Sequence, residues 1–168
     1  MIKVLLALSL VWPMAVSAQS INSALTGSWS GDGTVHLKPT SKRQSTSCNA
    51  TFDQQSGFWL RGAVTCKKGR RTDRVDLRFS EPGRNGDLEM SILGKNGTAL
   101  VTFEGSVSGS EITLYHPETL TFSGNAYRPV LRLDAANGNF RFSQIGVPTR
   151  SDTSQYLMSD IFFERSEN

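Results

Sequence analysis

Apolar and polar side chains alternate with a period of two along most of the chain. Val75, Leu77 and Phe79 are interleaved with Arg74, Asp76 and Arg78, and Leu88, Met90 and Ile92 with Asp87, Glu89 and Ser91. Leu131 and Leu133 flank Arg132, Phe140 and Phe142 flank Arg141, and Ile112 and Leu114 flank Thr113. Such alternation gives each segment one apolar and one polar face, the pattern of antiparallel strands half-buried on a core. Clusters of Gly, Asn, Pro and Ser separate the runs: Gln55-Ser56-Gly57, Lys68-Gly69-Arg70, Pro82 to Gly86, Lys95-Asn96-Gly97 and Asn137-Gly138. The Asn-Gly pairs supply the positive φ angles that tight hairpins need. No helical period stands out after residue 20.

The runs predict strands over 25–37, 46–54, 58–67, 73–80, 87–93, 98–105, 109–115, 119–123, 127–134, 139–145 and 154–164, roughly nine or ten once some merge. Many short strands joined by tight turns, each with one polar face, predict an all-β, single-domain antiparallel up-and-down barrel, with a β-sandwich as the alternative. No linker, low-complexity tract or charge block divides the chain, so residues 19–168 are expected to form one domain.

The start of the chain has a different pattern. Lys3 precedes an apolar stretch from Val4 to Trp12, Pro13 follows, and Val16-Ser17-Ala18 places small residues where a signal peptidase reads them. Residues 1–18 are expected to be a cleaved signal peptide, because the apolar stretch is about half of the ~20 residues that span a bilayer. A periplasmic or secreted location follows. In that setting the two cysteines, Cys48 and Cys66, are expected to form a disulfide rather than a reactive or metal-binding pair.

Parity sharpens this expectation. Cys48, Ala50 and Phe52 lie on one face of their strand, and Leu60, Gly62, Val64 and Cys66 on one face of the next. If Cys48 faces Cys66, then Ala50 faces Val64 and Phe52 faces Gly62, folding about Gly57. A cross-strand disulfide is predicted, worth about 3 kcal/mol in the chain-entropy picture.

The net charge of +3, which falls by one when Lys3 leaves with the leader, is too small to imply a nucleic acid or a membrane surface as partner. A monomer is expected. One hairpin is locally basic: Lys67, Lys68, Arg70, Arg71, Arg74 and Arg78, offset by Asp73 and Asp76. It is a candidate patch for anionic headgroups or glycans, set against the plainer reading of a solvated hairpin tip.

The segment Leu25 to Val35, LTGSWSGDGTV, resembles the first strand of calycin barrels, the superfamily of the lipocalins, with their G-x-W signature at Gly27 and Trp29. The resemblance implies that Trp29 closes one end of the barrel and that a basic residue of the last strand, here Arg165, packs across it. With the leader, the cysteine pair and the later Gly105 to Gly109 segment, the chain also resembles small secreted proteins of Gram-negative bacteria, which speaks to fold rather than activity. The opening strand is similar to that of the nitrobindin-like haem barrels as well, but no histidine follows His116 where that family would want its ligand, so haem is not expected. Secreted bacterial metalloprotease inhibitors are similar in their L-x-G-x-W-like strand and early disulfide. That resemblance implies an inhibitory N-terminal segment at Gln19 to Ala24.

No catalytic chemistry is predicted. The two histidines, His36 and His116, are too few for a metal site, and no cofactor is expected. Gly105-Ser106-Val107-Ser108-Gly109 has valine where a nucleophile elbow has serine, and Asp87 and Glu89 merely share a solvent face. Phe52, Phe58, Phe79, Phe103, Phe140, Phe142 and Phe162 are expected mostly in the core, with Trp59, Arg61, Tyr115, Tyr127 and Tyr156 available for an amphipathic rim. The reading is a secreted, non-catalytic binding protein, a carrier of a small apolar or amphipathic ligand or an envelope accessory protein. The alternative is a protease inhibitor.

Overall fold

The computed structural model describes residues 19–36, 41–56, 58–122, 125–136, 138–149 and 154–166; the expected leader lies outside them. Helix α1 (Gln19–Leu25) leads into β1 (Gly27–Val35), β2 (Gln44–Gln55), β3 (Phe58–Lys68), β4 (Arg71–Phe79), β5 (Asp87–Leu93) and β6 (Ala99–Ser108). There follow β7 (Glu111–Tyr115), β8 (Leu120–Phe122), β9 (Asn125–Ala136), β10 (Asn139–Pro148) and β11 (Tyr156–Arg165). Strands β1 to β7 follow one another around the wall in chain order, and β9 takes the place beside β7. The circuit closes because β10 pairs with β9 and β11, and β11 pairs with β1 from Trp29↔Arg165 to Val35↔Ser159.

Ten antiparallel strands thus form a closed barrel, with β8 outside the ring. The barrel expectation is met, and the sandwich alternative gives way because one sheet closes on itself instead of packing as two open ones. Strand β8 is the continuation of β7 along the same edge of β9: Glu111 to Tyr115 pair with Asp134 to Val130, and Leu120 to Phe122 with Tyr127 to Asn125. Pro129 separates the two ladders and has no N–H to donate to either. The interruption is bridged by the His116 N–H, which donates to the Pro129 carbonyl at 2.9 Å.

The cysteine register is as the parity required. Cys48 faces Cys66, Ala50 faces Val64 and Phe52 faces Gly62, and the two sulfurs are bonded. Glycines on the inner face let aromatic rings lie against the wall. A Cβ at Gly62 would stand 2.5 Å from the Phe52 ring and one at Gly31 2.6 Å from the Phe163 ring, so any larger residue would push these rings out of place.

Three expectations are corrected. Helix α1 occupies Gln19–Leu25, where the pattern predicted no helix; seven residues are too few for a 3.6-residue period to show, and the helix is held by burial of Ile21 and Leu25, four residues apart. Phe162 is 48 % exposed, because Ile161 and Phe163 hold the inward parity of β11. Trp59 is buried against Phe79, ring centroids 6.4 Å apart, although it lies on the opposite parity from Cys66.

Candidate functional site

The two ends of the barrel differ. The end carrying the β2–β3, β4–β5, β6–β7 and β9–β10 hairpins is filled, and α1 closes it, packed with Ile21 and Leu25 fully inside. The last carbonyls of a helix have no partner within the helix and need one outside it. Here the Thr26 N–H and Oγ1–H both donate to the Asn22 carbonyl, each at 2.9 Å. The Trp29 Nε1–H donates to the Leu25 carbonyl at 2.8 Å, and the Arg165 guanidinium donates to Thr26 at 3.1 Å and to Ala24 at 3.4 Å. The same guanidinium carbon lies 4.5 Å from the centre of the Trp29 ring, a cation–π contact. Gly27, Trp29 and Arg165 therefore meet in one clasp, built on the carbonyl end of α1.

Gly27 is required there for two reasons. Its φ is +128°, a conformation L-residues rarely adopt, and a Cβ would stand 2.7 Å from an Arg165 nitrogen. Gly27→Ala is expected to dislodge the guanidinium and cost about 1–3 kcal/mol. Urea unfolding checks this, and a loss no larger than that of Ser28→Ala, an exposed neighbour, would contradict it.

Above the clasp the aromatic side chains form a floor. Phe140 is its hub, edge-on to Trp29 at 5.0 Å and to Phe52 at 5.8 Å, and stacked on Phe163 at 4.4 Å. Phe52 in turn meets Phe79 at 6.5 Å. From this floor to the opposite end the barrel is hollow. The cavity is about 410 Å³, and its walls are Val64, Leu77, Met90, Ile92, Phe103, Leu131, Leu133, Phe142 and Ile161. Its mouth carries Val35, Cys66, Asp73, Val75, Gln144 and Ser159. Such a volume lies within the ~300–1,000 Å³ of small-molecule sites, as does the balance of a large apolar wall and a few polar groups.

The mouth is uneven because the strands reach it to different heights. Strand β4 is paired with β5 only from Asp76 to Phe79, so Arg71 to Val75 extend past the end of β5. Val75, on the inward parity, is 36 % exposed there, and Leu100 at the start of β6 is 66 % exposed. On the far side of the mouth Tyr127 and Tyr156 are buried, ring centroids 6.0 Å apart, and the Tyr156 hydroxyl donates to the His36 carbonyl. Burial pushes the Tyr156 hydroxyl pKa above its ordinary value, so it stays protonated and a donor at neutral pH. Tyr115 is exposed, and His116 sets its ring edge-on to Phe103 at 5.0 Å.

The basic hairpin rises beside the mouth, with Lys67 and Lys68 in β3, Arg70 in the turn and Arg71 and Arg74 in β4. Its charge is partly spent within the hairpin. Arg71 pairs with Asp73 at 2.8 Å and Arg74 with Asp76 at 2.9 Å, and the Asp76 hydrogen bond raises the Arg74 pKa. On the outer wall Arg141 pairs with Asp160 at 2.7 Å and holds that carboxyl below its usual range. Because the folded pKa is the lower one, any stabilisation from this pair is present above the unfolded value near ~3.9 and is lost as pH falls through the folded one. The pair is too exposed to contribute much. Among the described residues no cluster of three or more His, Cys, Asp or Glu is placed to hold a metal, and no helix is long and apolar enough to cross a membrane.

Gln144 and Ser159 were not singled out from the sequence, and Asp73 was named there only as an offset to the basic hairpin. A signal was present for Ser159, which breaks the apolar inward face that Ile161 and Phe163 continue.

These features define a closed antiparallel barrel, clasped at one end and hollow toward the other. No family model matches the sequence, and a search of curated proteins returns no significant relative. The barrel is similar to the crystal structure of Rv2717c from M. tuberculosis, with a TM-score of 0.57 over 89 % of this chain and 96 % of that one. At 17 % identity the likeness speaks to the fold alone.

Proposed function

We propose that the protein is a non-catalytic carrier that holds one small apolar or amphipathic molecule inside the barrel and works outside the cytoplasm. The observation that carries the reading is the hollow itself, about 410 Å³ of mainly apolar space that the chain's own side chains leave unfilled. Apolar wall exposed in an open hollow is costly to keep in contact with water, so an apolar occupant that covers it is stabilised. The Trp29–Arg165 clasp supports a calycin-like architecture. A leader at residues 1–18 and a disulfide both accord with an extracytoplasmic location. The inhibitor reading needs Gln19 to Ala24 free to enter a protease cleft. That segment is helical and buries Ile21 and Asn22 at the barrel end, which favours the carrier.

A tryptophan in place of Leu77 would project into the hollow from mid-wall. Leu77→Trp is expected to weaken binding of a neutral apolar fluorophore, N-phenyl-1-naphthylamine, by about tenfold or more, with a stability change of at most ~1–3 kcal/mol from repacking. Fluorescence titration measures the first and urea unfolding the second. Equal affinity in the two proteins would place the ligand elsewhere.

A further inference from the structure

We infer that the ligand is an amphiphile with an anionic head, its tail in the hollow and its head held at the mouth by Lys68. The inference rests on the interior being the ligand site. Cys66 and Asp73 face each other across the β3–β4 ladder, and both line the cavity. The next pair on that same face, two residues nearer the hairpin tip, is Lys68 with Arg71. Side chains alternate along a strand, so Lys68 and Arg71 share the inward face of the hairpin, about 7 Å beyond the cavity rim. The four-carbon stem of a lysine spans most of that distance. Lys68 is half-buried, whereas Lys67, on the outer face, is exposed. Arg71 is committed to Asp73 at 2.8 Å, so their charges cancel. Lys68 has no ion pair among the described residues and leaves this face with a positive charge in excess.

The rest of the mouth has the same sign. Among the described residues of its connecting segments, the charged ones are Lys42 and Arg43 before β2, Arg70 between β3 and β4, Lys95 between β5 and β6, and the acidic Glu118 between β7 and β8. In the described connections at the clasped end, Glu81 and Arg84 offset each other. The barrel therefore presents its positive charge where the hollow opens. An anionic head at this rim keeps part of its hydration and gains a counter-charge, whereas drawn down among Leu77, Ile92 and Leu131 it would be desolvated without one. A tail on that head covers the apolar wall. A cationic head on the same tail would meet repulsion at the rim.

The test displaces N-phenyl-1-naphthylamine from the purified protein at neutral pH with decyl sulfate or with decyltrimethylammonium, equal tails of opposite charge, each below its micelle concentration. Decyl sulfate is expected to displace the fluorophore at about fivefold to tenfold lower concentration, since a half-exposed ion pair is worth up to about fivefold and the cation is also repelled. Lys68→Gln should weaken decyl sulfate by about threefold and leave fluorophore affinity within about twofold, which also shows that the variant is folded. Lys68→Glu should abolish the preference. Lys67→Gln removes the same charge from the outer face and should change decyl sulfate affinity by less than about 1.5-fold. Inorganic sulfate at the same concentrations should displace nothing. If the two surfactants displace equally, if Lys68→Gln acts no more strongly than Lys67→Gln, or if inorganic sulfate displaces the fluorophore without a tail, the head-group inference is overturned while the carrier reading stands. If the fluorophore does not bind, or Leu77→Trp binds it unchanged, the carrier reading fails and this inference with it.

Discussion

Trp29→Ala is expected to remove about 3–5 kcal/mol from the free energy of unfolding, the range of large aromatic-to-alanine changes in well-packed cores. Trp29 is fully buried, and three separate contacts end on it. Its indole N–H satisfies the Leu25 carbonyl, its ring meets the edge-on Phe140 at the hub of the floor, and its face carries the Arg165 guanidinium. Alanine would leave a void, orphan a carbonyl at the end of α1 and unseat the arginine. The arginine alone should matter less. Arg165→Lys keeps the charge but cannot fork to both Ala24 and Thr26 or stack flat, and should cost about 1 kcal/mol. Urea unfolding followed by far-UV circular dichroism separates the two. A Trp29→Ala loss smaller than that of Arg165→Lys would mean that the clasp does not hold the barrel end together.

The second large effect is redox. Opening the Cys48–Cys66 bond, by a phosphine reductant or by the paired substitution Cys48→Ala with Cys66→Ala, is expected to cost about 2–4 kcal/mol. The two cysteines are 18 residues apart in sequence and directly paired in the β2–β3 ladder, so the bond restricts the unfolded chain while the ladder itself specifies the same register without it. The folded barrel should therefore survive reduction with a lower unfolding midpoint and little change in spectrum. Identical midpoints with and without reductant would refute the expectation.

Much of the fold was legible because strands carry their signal locally. A period of two needs only four or five residues to show, and positive-φ turns such as those at Gly69, Gly97 and Gly138 name themselves by residue type. Ala50, Phe52, Gly62 and Val64 could be placed opposite one another because setting Cys48 against Cys66 fixes the register, and the buried face agrees with it. Helix α1 was not legible, since its seven residues are helical only because the barrel end buries Ile21 and Leu25. The place of β8 outside the ring was equally hidden. It shows only in how Leu120 to Phe122 pair with Tyr127 to Asn125, beyond the break at Pro129 in the β7–β9 ladder.

The candidate site divides in the same way. Gly27, Trp29 and Arg165 were singled out from the sequence through a resemblance, yet what brings them together is the β1–β11 pairing that joins the two ends of the chain. Neither the hollow nor its polar edge could be read in advance. Phe52, Phe79, Phe140 and Phe163 look alike as inward aromatics, and whether they fill a barrel or only floor it depends on how ten strands of unequal reach tilt around them. Ser159 is polar on an apolar face in any reading, but that its hydroxyl lacks a partner is a property of its neighbours on β1 and β10.

The sequence by itself determined the strand class, the hairpin turns and the disulfide register, because these rest on alternation, turn chemistry and pairing between adjacent segments. Only the tertiary structure decided that the sheet closes, that one end is plugged and the other hollow, and that a buried serine hydroxyl is left without a partner. Those depend on contacts between residues more than a hundred positions apart, such as Trp29 with Arg165 and His36 with Tyr156, which no local pattern encodes.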